Sequence, residues 1–250
     1  METGAQQAID IQPGPSSSYY SSFPTLDSRR RLVDLGLVLL IAIIPLIATA
    51  LYALYVPIVG TSSNTNMRFV SGLVHEIGAL TLLACLLSRQ NRSIKEIGLG
   101  FRWTDILKAI GLFIIAMIAY LLSYSVINAS YHSWTREYIH FRDPAIIFGK
   151  PSAVLLFLYI LAAPLFEEII VRGYLMTELS GFSCPMWLAA MASVVLQTSY
   201  HLYYGFAGAL LLGSGFAVLA IYFARSKRLM PVILAHFLWD LTASVRYWHR

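Results

Sequence analysis

Apolar residues in this chain do not alternate with polar ones at a strand period, nor do they form the narrow stripe of a surface helix. They come in long blocks. The blocks run from about 32 to 55, 69 to 87, 106 to 127, 153 to 176, 186 to 204, 206 to 224 and 230 to 248. A helix crosses the hydrocarbon of a bilayer with about 20 residues, so each block predicts one span. The predicted fold is all-α: a polytopic transmembrane helical bundle of about seven spans, with six to eight compatible with the short fifth and sixth blocks. No internal repeat is visible, which argues against inverted-repeat transporter folds. Residues 1–28 are rich in Pro, Ser and Gly and carry no apolar stripe; they predict a disordered N-terminal tail. They also lack the charged start and apolar run of a cleaved signal peptide. Residues 29–250 are the membrane-embedded bundle.

Composition supports the same picture. The chain is 58% hydrophobic and 12% charged, with mean hydropathy +0.66. A soluble domain carries about 25% charged residues. This excludes a soluble globular enzyme, a disordered chain and a nucleic-acid-binding module. The net charge of +5 reads as loop charge facing anionic lipid. With the N-terminus inside, the short inner segments hold eleven Lys and Arg and the outer ones six, with Arg172 inside a span. That bias predicts a cytoplasmic N-terminus, and the expected setting is a prokaryotic plasma membrane. Cys85 and Cys184 are expected to be buried as small hydrophobes without a disulfide.

Ionisable groups at membrane depth cost about 2.5–3.5 kcal/mol each, and so mark function or a paired structural contact. Here they cluster. The fourth span carries Glu167, Glu168, Arg172 and Glu178, the fifth His201, and the seventh His236 and Asp240. On a helix, i and i+4 share a face while adjacent residues diverge by about 100°. Glu168 and Arg172 are i,i+4 with the acid N-terminal, the better order for an ion pair. Glu167 points elsewhere and is left for chemistry as a general base. His236 and Asp240 also share a face, as do Gln197 and His201. Three helices could aim these groups into one polar cavity. Each group also has a plainer reading: Glu168–Arg172 as a helix-packing pair, His201 as an interhelical hydrogen bond, His236–Asp240 as a structural contact.

The motifs resemble one family. FEEIIVRGYL at 166–175 resembles the Glu-Glu-x-x-x-Arg motif of the CPBP (Abi) family of intramembrane proteases, which includes the CAAX proteases and bacteriocin-processing enzymes. QTSYHLYYG at 197–205 resembles its second motif, a helix ending in His. LMPVILAHFLWDL at 229–241 resembles the third, His-x-x-x-Asn or Asp. RSIKEIGLG at 92–100 resembles a short Gly-Leu loop between spans. Order and spacing fit over a protease-like core at residues 153–245. The resemblance implies an intramembrane endopeptidase, related to the type II CAAX prenyl endopeptidases, acting on a peptide or protein substrate, prenylated or membrane-anchored among them. It implies that Glu167 activates water with His201, that Glu168 and Arg172 complete the first motif, and that His236 and Asp240 stabilise the oxyanion. Two departures matter. Gln197 stands where Phe is frequent, and Asp240 stands where the CAAX-cleaving members carry Asn. An ionised carboxylate cannot donate to an oxyanion, so Asp240 must be protonated, orient His236 or bind a metal.

Members of this family have been classed as metalloproteases and as glutamic proteases. Glu167, His201, His236 and Asp240 are zinc ligands by type, yet no H-E-x-x-H pair is present. The favoured expectation is Glu–His water activation with no required cofactor, with a divalent metal such as zinc as the alternative. Other polar residues read as structural: His75 and Glu76 as interhelical contacts more than cavity lining, Asp34 as interfacial, and His132, His140, His249 and Glu178 as reaching water. Tyr200, Tyr203, Tyr204, Trp239 and Trp248 fit an aromatic belt or cavity lining. Two further functional classes fit the composition: a catalytically inactive scaffold or immunity protein that binds a peptide, and a proton-coupled transporter using Glu167, His201 and Asp240 as a relay.

Overall fold

The structure, a computed structural model, describes residues 28–55, 65–139 and 148–248. The predicted tail at 1–28 lies outside these residues except for Ser28, and so do His140 and His249. Every regular element among the described residues is helical. The order is α1 (Ser28–Ala42), α2 (Ile44–Tyr55), α3 (Thr65–Arg89), α4 (Thr104–Thr135), α5 (Ala153–Glu168), α6 (Leu175–Gly181), α7 (Met186–Tyr200), α8 (Phe206–Ser226) and α9 (Met230–Trp248). The seven apolar blocks correspond to α1–α2, α3, α4, α5–α6, α7, α8 and α9. Five of these units are long and apolar enough to span a bilayer. The exceptions are α7, at 15 residues, and α9, whose apolar part Met230–Val245 is short.

The faces follow from residue size. On α4 the buried positions are Asp105, Ala109, Leu112 and Ala116, a single stripe at helical spacing. Leu107, Leu122 and Val126 on its other faces are exposed, as lipid-facing residues are. Small residues allow backbones to approach where apolar solvent supplies no squeeze. A Cβ on Gly215 would lie 3.0 Å from the Trp239 ring, which is how α8 and α9 close on each other. α4 packs on α8 and α9, α5 on α3 and α9, and α7 on α8. Cys85 is exposed and Cys184 half-buried, both free. The expectation of burial therefore fails for Cys85, which lies on the outward side of α3.

The proline break at Pro45 is repaired by a polar side chain. Pro45 has no N–H to give the carbonyl four residues back. That carbonyl is Ile41, and His75 Nε2–H donates to it at 2.9 Å. His75 thus pins α3 to the break between α1 and α2.

One end of the bundle is tied by buried ions. Glu178, expected to reach water, is fully buried. Two guanidiniums hold it: Arg31 at 3.0 Å and Arg92, in very close contact. Arg92 also donates to Glu96 at 3.1 Å and to Gln90 at 3.2 Å. Burial alone would lower the pKa of Arg92; the carboxylates of Glu178 and Glu96 together outweigh this and hold it above its ordinary value. Gln90 donates to Asp34 at 2.6 Å. Buried Asp105 takes Arg228 at 2.5 Å. His132, expected in solvent, instead stacks on Tyr138 with centroids 4.5 Å apart.

The Gly-Leu loop is docked rather than free. Leu229 N–H donates to the Gly98 carbonyl at 2.9 Å. Gly98 has φ +86°, and a Cβ there would lie 2.6 Å from the Lys227 carbonyl. Only glycine fits both constraints. Gly98→Ala should cost about 1–3 kcal/mol through left-handed backbone strain, before the clash is counted. A thermal transition in detergent no lower than wild type would show that the loop does not bear on stability.

Candidate functional site

α5 ends at the acid pair, and the chain then widens into a π-helical turn, Ile169–Tyr174. Leu175 N–H reaches back five residues to the Ile170 carbonyl. Such wide turns are frequent at functional sites. Arg172 and Gly173 sit in this turn. A Cβ on Gly173 would meet the Ile97 carbonyl at 3.0 Å, so its bareness lets the 90s loop press against the motif.

The two glutamates face different surroundings. Glu168 is fully buried. Its Oε1 accepts from Arg172 Nη1 at 3.1 Å and from His236 Nδ1–H at 2.7 Å. Arg172, also fully buried, donates to the Phe216 carbonyl at 3.3 Å and lies over the Phe216 ring at 5.5 Å. Glu167 is half-buried. Its Oε2 accepts from Gln197 Nε2 at 2.8 Å and from the Tyr200 hydroxyl at 2.9 Å. Glu167 is therefore not a bare carboxylate. It is aimed by two neutral donors on α7, and neither bond engages Oε1.

α7 stops at Tyr200, and the chain turns through Leu202–Tyr204 to Gly205 at φ +84°. This turn sets the His201 ring inward. His201 Nδ1–H donates to the Gln197 carbonyl at 2.8 Å. A carbonyl only accepts, so this contact fixes the tautomer and leaves Nε2 as the acceptor nitrogen. Gln197 thus joins the two groups, with its side chain on Glu167 and its carbonyl under His201. The ring packs 4.9 Å from Phe216 and 4.9 Å from Tyr200.

His236 lies between two carboxylates. Nδ1 is on Glu168, and Nε2 is 3.7 Å from Asp240 Oδ1. The second distance is an ionic contact and too long for a hydrogen bond. The His236 ring is 5.9 Å from Phe216. Glu168, Arg172, His236 and Asp240 form one group, and Glu167, Gln197, Tyr200 and His201 a second. Phe216 stands between them, against Arg172, His201 and His236. Nothing in the sequence marks Phe216. The signal for Gln197 was its place at i−4 from His201.

His201 and His236 each give Nδ1–H to an oxygen, of the Gln197 carbonyl and of Glu168, and each keeps Nε2 on its other side. Among the described residues no group of three or more His, Cys, Asp or Glu is arranged to hold a metal.

Residues 149–242 are similar to one family: they match the family model described as Type II CAAX prenyl endopeptidase Rce1-like. The matched segment starts just before α5, ends within α9, and contains all of Glu167, Glu168, Arg172, His201, His236 and Asp240. No curated protein and no solved structure matches the chain.

Arg172→Ala would strand the buried Glu168 carboxylate. Removing one partner of a buried pair costs about 3–5 kcal/mol, so the thermal transition in detergent should fall steeply. An unshifted transition would show that the pair carries no structural weight.

Proposed function

We propose that the Rce1-like domain at residues 149–242 is an intramembrane endopeptidase in which Glu167 activates the water that hydrolyses a peptide bond. One observation carries the reading. The adjacent glutamates have been separated, with Glu168 consumed by Arg172 and His236 and Glu167 half-buried and held only by neutral donors. A carboxylate oriented but not neutralised is what a general base requires.

The geometry supports the following steps. Glu167 takes a proton from water as the water oxygen attacks the carbonyl carbon. His201 Nε2, the acceptor nitrogen, orients the second water hydrogen. Negative charge then develops on the carbonyl oxygen. His236, doubly protonated, keeps Nδ1–H on Glu168 and turns Nε2–H to that oxygen, because Asp240 at 3.7 Å does not capture it. A preorganised donor aimed at developing charge is the largest single source of rate in such sites. The intermediate collapses as Glu167 returns its proton to the leaving nitrogen. Asp240 acts here by orienting and balancing His236, not by donating. The substrate is a peptide or membrane-anchored protein segment. The inner-segment excess of Lys and Arg supports an inside N-terminus.

Glu167→Gln keeps the size and removes the base. Cleavage should fall by about 10²–10⁴-fold, the usual worth of a general base, with the thermal transition preserved. New peptide termini found in membranes holding the wild type but not the Glu167→Gln variant would identify the substrate. Cleavage by the variant at the wild-type rate would remove Glu167 from the mechanism.

A further inference from the structure

Gln197 lies in the last turn of α7 and is fully buried. It touches both groups assigned to the water. Its side-chain Nε2–H donates to Glu167 Oε2 at 2.8 Å, and its main-chain carbonyl accepts from His201 Nδ1–H at 2.8 Å. The Tyr200 hydroxyl donates to the same Oε2 at 2.9 Å. Both donors therefore take one oxygen of the carboxylate and leave Oε1 to receive a proton.

The amide keeps this orientation at the loss of a bond. Gln197 Oε1 is buried and accepts from no donor. Turning the amide over would set that oxygen against the carboxylate, acceptor on acceptor. A buried polar atom left unmet destabilises a protein, and in a native site it calls for an explanation. The hold on Glu167 supplies one. The turn that carries Gln197 is also fixed from α8. A Cβ on Gly213 would lie 2.8 Å from Thr198 Oγ1, so α8 presses on the residue next to Gln197. The His201 ring packs 4.9 Å from Phe216 of the same helix.

We propose that Gln197 is the positioning residue of the water-activating pair. Its side chain holds the base and its carbonyl holds the imidazole, so that Glu167 Oε1 and His201 Nε2 meet one water together. The proposal rests on the peptidase reading above. Leucine at 197 would remove the donor and the unmet acceptor at once, and would leave Glu167 Oε2 with Tyr200 alone.

The test uses the full chain in detergent and a library of quenched fluorogenic peptides, with kinetics on the peptide that wild type cleaves fastest. Gln197→Leu should lower kcat by about 10²-fold, the cost of a misplacement of about 1 Å, and leave KM within about twofold. Its thermal transition should equal or exceed that of wild type, because the unmet acceptor is gone. A packing role requires the reverse, a lower transition with kcat little changed. Gln197→Glu has the same shape and donates to Glu167 only while it carries a proton. Two carboxylates at the 2.8 Å of the present contact cannot both ionise freely. The kcat of this variant should therefore fall as pH rises into a range where wild type keeps its rate. Glu76 of α3, Tyr200 and His201 at the end of α7, and His236 and Asp240 of α9 act on Glu167 from the other elements. They are common to both proteins, so the difference between the two profiles belongs to position 197. A Gln197→Leu kcat near wild type overturns the proposal, as does a Gln197→Glu profile that follows wild type. Should the Leu variant not fold, the Glu profile decides. If wild type cleaves no peptide of the library, the peptidase reading falls and this role falls with it. Cleavage by wild type that is indifferent to position 197 removes this role alone.

Discussion

The Glu168 carboxylate holds this site together. In one buried oxygen it gathers Arg172 from the turn below and His236 from α9, at 3.1 and 2.7 Å. In low dielectric an unpartnered carboxylate is expensive, so the contact fixes how α5 and α9 meet. It also takes one of two adjacent glutamates into ion pairs and leaves Glu167 with the neutral donors Gln197 and Tyr200. Helical geometry sends neighbours about 100° apart, and one direction here leads into the wall and the other into the opening. The Arg172 guanidinium then reaches across to the Phe216 carbonyl, which brings α8 into the same arrangement.

Around this centre, backbone irregularities are matched by neighbouring residues. The carbonyl freed by Pro45 is taken by His75. The bareness of Gly173 admits the Ile97 carbonyl, and Gly98 turns under Lys227. The loop at 92–100 and the motif at 166–175 therefore form one packed unit. Changes in the loop reach the acid pair through a single layer of contacts, because Gly173 follows Arg172 directly. The ion cluster on Glu178 ties α1 and the same loop to α6, so two membrane segments and the loop share one anchored end.

Much of this was legible in the sequence, and the reasons are physical. Long apolar blocks favour membrane helices, and i,i+4 pairs share a face, so the fold class and the Glu168–Arg172 pair follow directly. Which partner a group finds across helices does not follow. His236 shares a face with Asp240, yet its short hydrogen bond goes to Glu168 on α5. Glu178 is near a span end, which suggests water; instead two arginines far away in sequence enclose it. Phe216 is indistinguishable from any apolar residue until its neighbours are known.

The carboxylate at position 240 gains a physical account from the same geometry. Glu168, Arg172, His236 and Asp240 comprise two acids and two bases in mutual contact. With His236 as an imidazolium the group is neutral as a whole, a condition favoured in a water-poor interior. A carboxamide at 240 would leave the group with one uncompensated positive charge. Asp240 balances that charge from 3.7 Å, beyond hydrogen-bond range, so it does not consume the Nε2–H. In the proposed mechanism that Nε2–H would be left to meet the oxyanion, whose negative charge is the one Glu167 gives up on taking the water's proton, and Asp240 would act on it through His236 alone.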